Sequence, residues 1–187
     1  LGFFYHSGGV FTDKRGAMEI LQSDRLAFYS LTLADSALML RLLNEESFIR
    51  NIGDRGVRSL AQAEQYLQDG PMRSYQQHGF GMYRLVRKSD GVNIGLAGLV
   101  YREYLGIPDV GYALLPEFSG RGYASEAALA VYQYGKNVLK LPEIVGIVAP
   151  DNLASKKILE KAGLVTLKQI LSADTQKWLD YYTEPKR

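Results

Sequence analysis

The chain has no cysteine, which removes disulfide frameworks, thiolate metal sites and cysteine nucleophiles together and suits a reducing compartment. Histidine is almost as scarce. His6 and His78 are the only two, so a histidine-built metal centre is excluded on inventory and no metal is expected. Long hydrophobic runs are missing too: stretches such as residues 144–149 fall far short of the ~20 residues a membrane-spanning helix requires. Residues 1–10 lack the basic flank and apolar core of a signal peptide, and the expectation is a cytoplasmic protein with no membrane partner. Nor is there an excess of one charge. With 22 Lys+Arg against 20 Asp+Glu the net charge is +2, too little to hold a polyanion, and no nucleic-acid partner is expected.

What is present is an apolar fraction of 47% over 187 residues, enough to build one core and too short a chain for two ordinary domains. Residues 1–17 are glycine-rich and irregular and read as an N-terminal extension ahead of a single domain over 18–187. Residues 25–31 alternate as a strand. Asp35 is placed to cap a helix that ends near Asn44, and residues 59–68 form an amphipathic helix that Gly70-Pro71 should end. A short helical piece over 72–77 follows. Residues 80–87 and 92–102 are β-prone runs joined by the hairpin signal Ser89-Asp90-Gly91, and 109–115 is a further strand. A helix over 122–139, a continuous apolar strand over 143–149, a helix capped by Asn152 and stopped by Gly163, and strands over 164–171 and 177–183 complete the chain. The class is mixed α/β, of the α+β kind.

The segment richest in chemistry runs from Val110 to Ala127. It is a strand, a turn holding Gly120 and Gly122, and the first turn of a helix. Such a turn aims unpaired backbone N–H groups at one point, with the positive end of the helix dipole behind them. An anion such as a diphosphate fits there, and Arg121 adds a cation. A tight turn that uses glycine for conformation alone would show the same local features. A Walker A loop is excluded, because no Gly-Lys-Ser/Thr ending occurs. A dinucleotide fingerprint fits poorly, because Ser125 stands where the third glycine belongs.

The same segment resembles the acetyl-CoA site of the GNAT acetyltransferase superfamily, and more narrowly the RimJ/RimL-like branch of ribosomal-protein N-terminal acetyltransferases. A Gly111-Tyr112 strand, the step Pro116-Glu117-Phe118, the run Gly120-Arg121-Gly122-Tyr123-Ala124 and the pair Glu126-Ala127 follow in the branch's order. The run from Asn152 to Leu164 resembles the second family signature, and residues 21–26 resemble the branch's opening strand. The resemblance implies a mixed, mostly antiparallel seven-stranded sheet with helices on both faces, splayed between the fourth and fifth strands (109–115 and 143–149). Those two should be parallel neighbours, since the helix between them makes a right-handed crossover.

It further implies that acetyl-CoA is the acetyl donor. Leu114 and Leu115 would lie along its pantetheine, and Ser119, Gly120, Arg121, Gly122, Tyr123 and Ala124 would hold its diphosphate. Asn152 and Ser155 would close the far side, with Ser155 as the acid for the departing thiolate. Two positions depart from the family pattern: Ser119 replaces Gln or Arg, and Leu159 stands where many relatives carry a tyrosine acid. No base declares itself; Glu103 and Asp109 are the nearest acids to the active strands, and Tyr101, Tyr104 and Tyr112 are candidates for the acceptor pocket. The implied activity is direct N-acetylation of a primary amine acceptor, foremost a protein or peptide N-terminus. A small amine is the alternative acceptor, a non-catalytic CoA-binding module the alternative function, and the assembly is a monomer or homodimer.

Overall fold

The computed structural model describes residues 12–185; residues 1–11 of the segment expected to be an extension lie outside the described residues. Strands β1 (Glu19–Gln22), β2 (Leu26–Ser30), β3 (Met82–Arg87), β4 (Val92–Tyr101) and β5 (Pro108–Leu114) form one antiparallel sheet in that order. Helices α1 (Ser36–Leu43), α2 (Glu46–Asn51), α3 (Leu60–Leu67) and α4 (Arg73–His78) are inserted between β2 and β3. Helix α5 (Tyr123–Asn137) leads to β6 (Gly146–Val148), α6 (Leu153–Lys161), β7 (Val165–Leu171) and β8 (Trp178–Thr183), whose strands make a second sheet in the order β6-β8-β7. The molecule therefore carries five strands plus three instead of one seven-stranded sheet. The extra strand is β1, four residues interrupted by a bulge between Glu19 and Leu21, too short and irregular to show alternation in sequence.

The two sheets meet at a single parallel bridge between Asp109 and Val145, made by Val110 N–H to Val145 C=O and Val145 N–H to Pro108 C=O, both 3.0 Å. The expected parallel adjacency of residues 109–115 and 143–149 is thus present, but only at its lower end. Helices cover both faces of the larger sheet. A Cβ on Gly135 of α5 would lie 3.1 Å from Leu99, whereas Arg84, which β4 register places on the opposite face, reaches Asp35 at the start of α1.

Two local expectations change. Asp35 does not cap α1 with its side chain. Its carboxylate is fully buried and is used instead by Thr32 N–H (3.0 Å), Arg15 Nη1 (3.1 Å) and Arg84, which also pairs with Asp13. A buried charge needs opposite charges more than a helix end needs a cap. Gly70-Pro71 does not end the helix either: a π-helical turn, Gln68–Met72, carries the chain through Pro71 into α4. Widening to i→i+5 bonding accommodates a residue that has no N–H and crowds the preceding turn. The true stop is Gly79, in the left-handed region at φ +74°. Among the described residues no helix is long and apolar enough to cross a membrane.

Candidate active site

Above the Asp109–Val145 bridge the ladder stops. A parallel ladder would continue through Val110 C=O and Tyr112 N–H to the two backbone groups of Ile147, and neither bond is made. Alternation along β5 decides which groups are left open. Gly111, Ala113 and Leu115 turn their amides toward β4, with Leu115 N–H on Ile94 C=O at 2.9 Å. Val110 C=O and both backbone groups of Tyr112 and Leu114 therefore face the gap, while β6 pairs with β8 on its other side. The gap is an unpaired strand edge of a length that can accept the amides of an extended chain. Leu114 contributes its backbone to that edge. Leu115 does not, since its C=O also accepts Phe118 N–H at 3.0 Å and its side chain is buried.

At the top of the gap, a 3₁₀ turn (Pro116–Phe118) leads to Ser119, whose N–H bonds Pro116 C=O, and then to Gly120 at φ +74° and Gly122 at φ +80°. Both glycines adopt a left-handed backbone that side chains oppose, and this is what folds the turn back over the start of α5. From Gly120 to Ser125 no N–H has a backbone acceptor among the described residues; the first helical bond is Glu126 N–H to Gly122 C=O. Arg121 is exposed beside these donors, Ala124 is half-buried and Tyr123 is buried. The cluster is a ready anion site.

The far wall is α6. Asn152 caps it, its Oδ1 accepting Ser155 N–H at 3.1 Å, and Ser155 is half-buried in the first turn. Tyr112 spans the gap to the same place: its hydroxyl donates to Ser155 C=O at 3.4 Å, and burial pushes it up to about 12, so it stays protonated. Leu159 points away, into a small core with Val148, Leu164 and Tyr182. Its methyl carbons lie 2.6 and 2.7 Å from where a Cβ on Gly146 would stand, so leucine and glycine fit each other here. Restoring the family's tyrosine by Leu159→Tyr is expected to overpack this core, lowering stability by about 1–3 kcal/mol without raising turnover. Thermal unfolding and turnover per folded molecule check both halves.

Of the two acids nearest the active strands, Glu103 is exposed, whereas Asp109 sits buried at the apex. Its carboxylate accepts Arg102 Nε at 2.9 Å, and Arg102 Nη1 bonds Asp174 of the β7–β8 hairpin at 2.6 Å. Burial pushes Asp109 up to about 6, against the pull of Arg102. Register places Asp109 with Val100 on the α1 side of the sheet, and Tyr112 with Ala97 on the α5 side. Tyr101 and Tyr104 are exposed.

One group at the glycine turn carries no functional assignment in the sequence reading. Arg25 and Glu126 lock the β1–β2 turn against the start of α5, with Arg25 Nε to Glu126 Oε2 at 2.6 Å and Ser23 Oγ to Glu126 Oε1 at 2.6 Å. The available signal was that Ser23, Arg25 and Glu126 all fall inside runs that resemble the family.

Comparison with known proteins bears on this geometry. The sequence profile of the acetyltransferase (GNAT) domain matches residues 25–165. The chain is 29% identical over 146 residues to the uncharacterized N-acetyltransferase YoaA of Bacillus subtilis (strain 168), covering 77% of this chain and 81% of that protein. Among solved structures it is similar to RimL, a ribosomal alpha-N-protein acetyltransferase (TM-score 0.77, 14% identity, 94% of this chain and 99% of that one). RimL has also been solved in complex with coenzyme A (TM-score 0.74, 16% identity, 87% and 94% covered). A chimera built on spermidine N-acetyltransferase SpeG of Vibrio cholerae is similar as well (TM-score 0.70, 16% identity, 86% and 95% covered).

Proposed function

Because the chain belongs to the GNAT acetyltransferase family, we propose that it transfers acetyl from acetyl-CoA to the N-terminal α-amine of a protein or peptide. The observation that carries the donor half is the open edge of β5 ending in the glycine turn. Bound there, acetyl-CoA supplies an activated acetyl group to the amine. Tyr112 and Leu114 pair the pantetheine through their gap-facing backbone groups, and the amides of Gly120–Ser125 take the diphosphate. Asn152 holds the first turn of α6 so that the Ser155 hydroxyl faces the sulfur and donates to it as charge develops.

The acceptor half rests on the amine's own acidity, because Asp109, the acid nearest the gap, is buried against Arg102. An α-ammonium at about 8 is partly neutral near pH 7.5 without help, whereas a lysine at about 10.4 costs roughly 4 kcal/mol to deprotonate there. The site favours the weaker base. RimL, named for α-N-protein acetylation, supports this reading, while SpeG, named for spermidine, marks the competing one. The test is an acetyl-transfer screen of free peptide N-termini against N-blocked lysine peptides, spermidine and aminoglycosides, with the product amine located by mass spectrometry. Transfer to the peptide α-amine is expected. Transfer confined to spermidine or another small amine would replace the acceptor, and no transfer to any amine would leave a CoA-binding module.

A further inference from the structure

Arg25 is the residue just before β2, and its guanidinium is fixed on three sides. Nε donates to Glu126 Oε2 at 2.6 Å, Nη1 donates to Arg121 C=O at 3.0 Å, and the group lies over the Tyr123 ring at 4.4 Å. Glu126 is held in turn by Ser23 Oγ and by Arg25 N–H at 2.8 Å, which keeps its carboxylate on the Nε side; these bonds hold its carboxyl below the usual range although burial opposes them. The remaining nitrogen, Nη2, donates to no acceptor among the described residues. It lies 3.4 Å from the point where a Cβ on Gly122 would stand, at the mouth of the glycine turn. Two nitrogens shape the turn and the third is left facing it.

We propose that Arg25 is a second cation of the diphosphate site, which fixes the glycine turn through Arg121 C=O and Glu126 and donates from Nη2 to a diphosphate oxygen. This rests on the reading of the turn as the acetyl-CoA diphosphate site. Arg25, Arg121 and Glu126 together carry one net positive charge, facing a group of about two negative charges, so losing Arg25 leaves these residues with no net charge. A planar fork is needed for the double task of holding the turn and meeting phosphate, which lysine cannot do.

The experiment is calorimetric titration of wild type, Arg25→Gln and Arg25→Lys with CoA and with dephospho-CoA, which keeps the diphosphate and lacks the 3′-phosphate. Apo thermal unfolding confirms that each variant is folded. Arg25→Gln is expected to weaken both ligands by a similar factor, about ten- to a hundredfold at low salt, and to flatten the salt dependence. Arg25→Lys should lose less and keep the wild-type salt dependence. In turnover, the loss should appear in KM for acetyl-CoA, with kcat falling far less. Affinity within twofold of wild type, or a loss seen with CoA and absent with dephospho-CoA, would overturn the proposal; so would equal losses in both variants with unaltered salt dependence, which would leave Arg25 a clamp alone. Failure of the underlying reading shows separately, as wild-type CoA affinity in a folded Gly122→Val protein.

Discussion

A folded Gly122→Val protein is expected to lose measurable CoA binding. Gly122 sits at φ +80°, a backbone that costs an L-residue roughly 1–2 kcal/mol and a β-branched one more. The turn relaxes away from that conformation, and with it goes the convergence of the Gly120–Ser125 amides. A Cβ there would also stand 3.4 Å from Arg25 Nη2, and the two valine methyls beyond it fill the space through which a diphosphate reaches the amides. Strain, lost donors and exclusion act in one direction, so the fall should exceed about a hundredfold, or roughly 3 kcal/mol. Gly122→Ala, which keeps the strain and little of the bulk, should fall less. Calorimetry on protein shown to be folded by its unfolding transition is the measurement. Binding retained within tenfold would remove the glycine turn from the site.

What makes that position legible in sequence is that its chemistry is local. Gly120 and Gly122, the strand before them and the helix after them are contiguous, and a left-handed turn at a helix start needs no tertiary partner to be recognised. The Ser89-Asp90-Gly91 hairpin and the Asn152 cap were readable for the same reason. The parallel adjacency of β5 and β6 followed from connection logic, a strand, a helix and a strand crossing over once. Its extent did not: only the structure places the last bond at Asp109–Val145 and opens the edge from Tyr112 onward. Pairings between distant residues were beyond reach altogether. Arg25 meets Glu126 across 101 positions, and Arg102, which holds Asp109, is itself held by Asp174 from a hairpin 72 residues later. A carboxylate reads the same in sequence whether it is solvated or enclosed, and enclosure is what moved Asp109 toward neutrality. The helix carried through Pro71 failed for a different reason: local propensity gave way to packing, and a π turn absorbed the cost.

The remaining large effect is expected at Ser155. If its hydroxyl donates to the departing sulfur, Ser155→Ala lowers turnover at saturating acetyl-CoA much more than it lowers acetyl-CoA affinity, because the bond strengthens only as charge appears on the sulfur. General-acid assistance is typically worth about 10²–10⁴-fold, and the expectation here is at the lower end, since a thiol near 8.5 already leaves readily. Two features of the structure shape the comparison. Asn152 Oδ1 bonds Ser155 N–H, which is unchanged in alanine, so the cap and the first turn of α6 survive the substitution. Tyr112 donates to Ser155 C=O, also unchanged, so the Tyr112 phenol stays at the first turn of α6 in the variant. Tyr112→Phe alone should therefore cost less than Ser155→Ala, and the double variant should cost more than either, because it removes both the Ser155 hydroxyl and the Tyr112 hydroxyl that reaches the Ser155 backbone. The decisive quantity is kcat per folded molecule with an acceptor known to react. A drop of less than about threefold in Ser155→Ala, with Tyr112→Phe costing more, would move the acid from α6 to β5 and leave Ser155 as part of a helix cap.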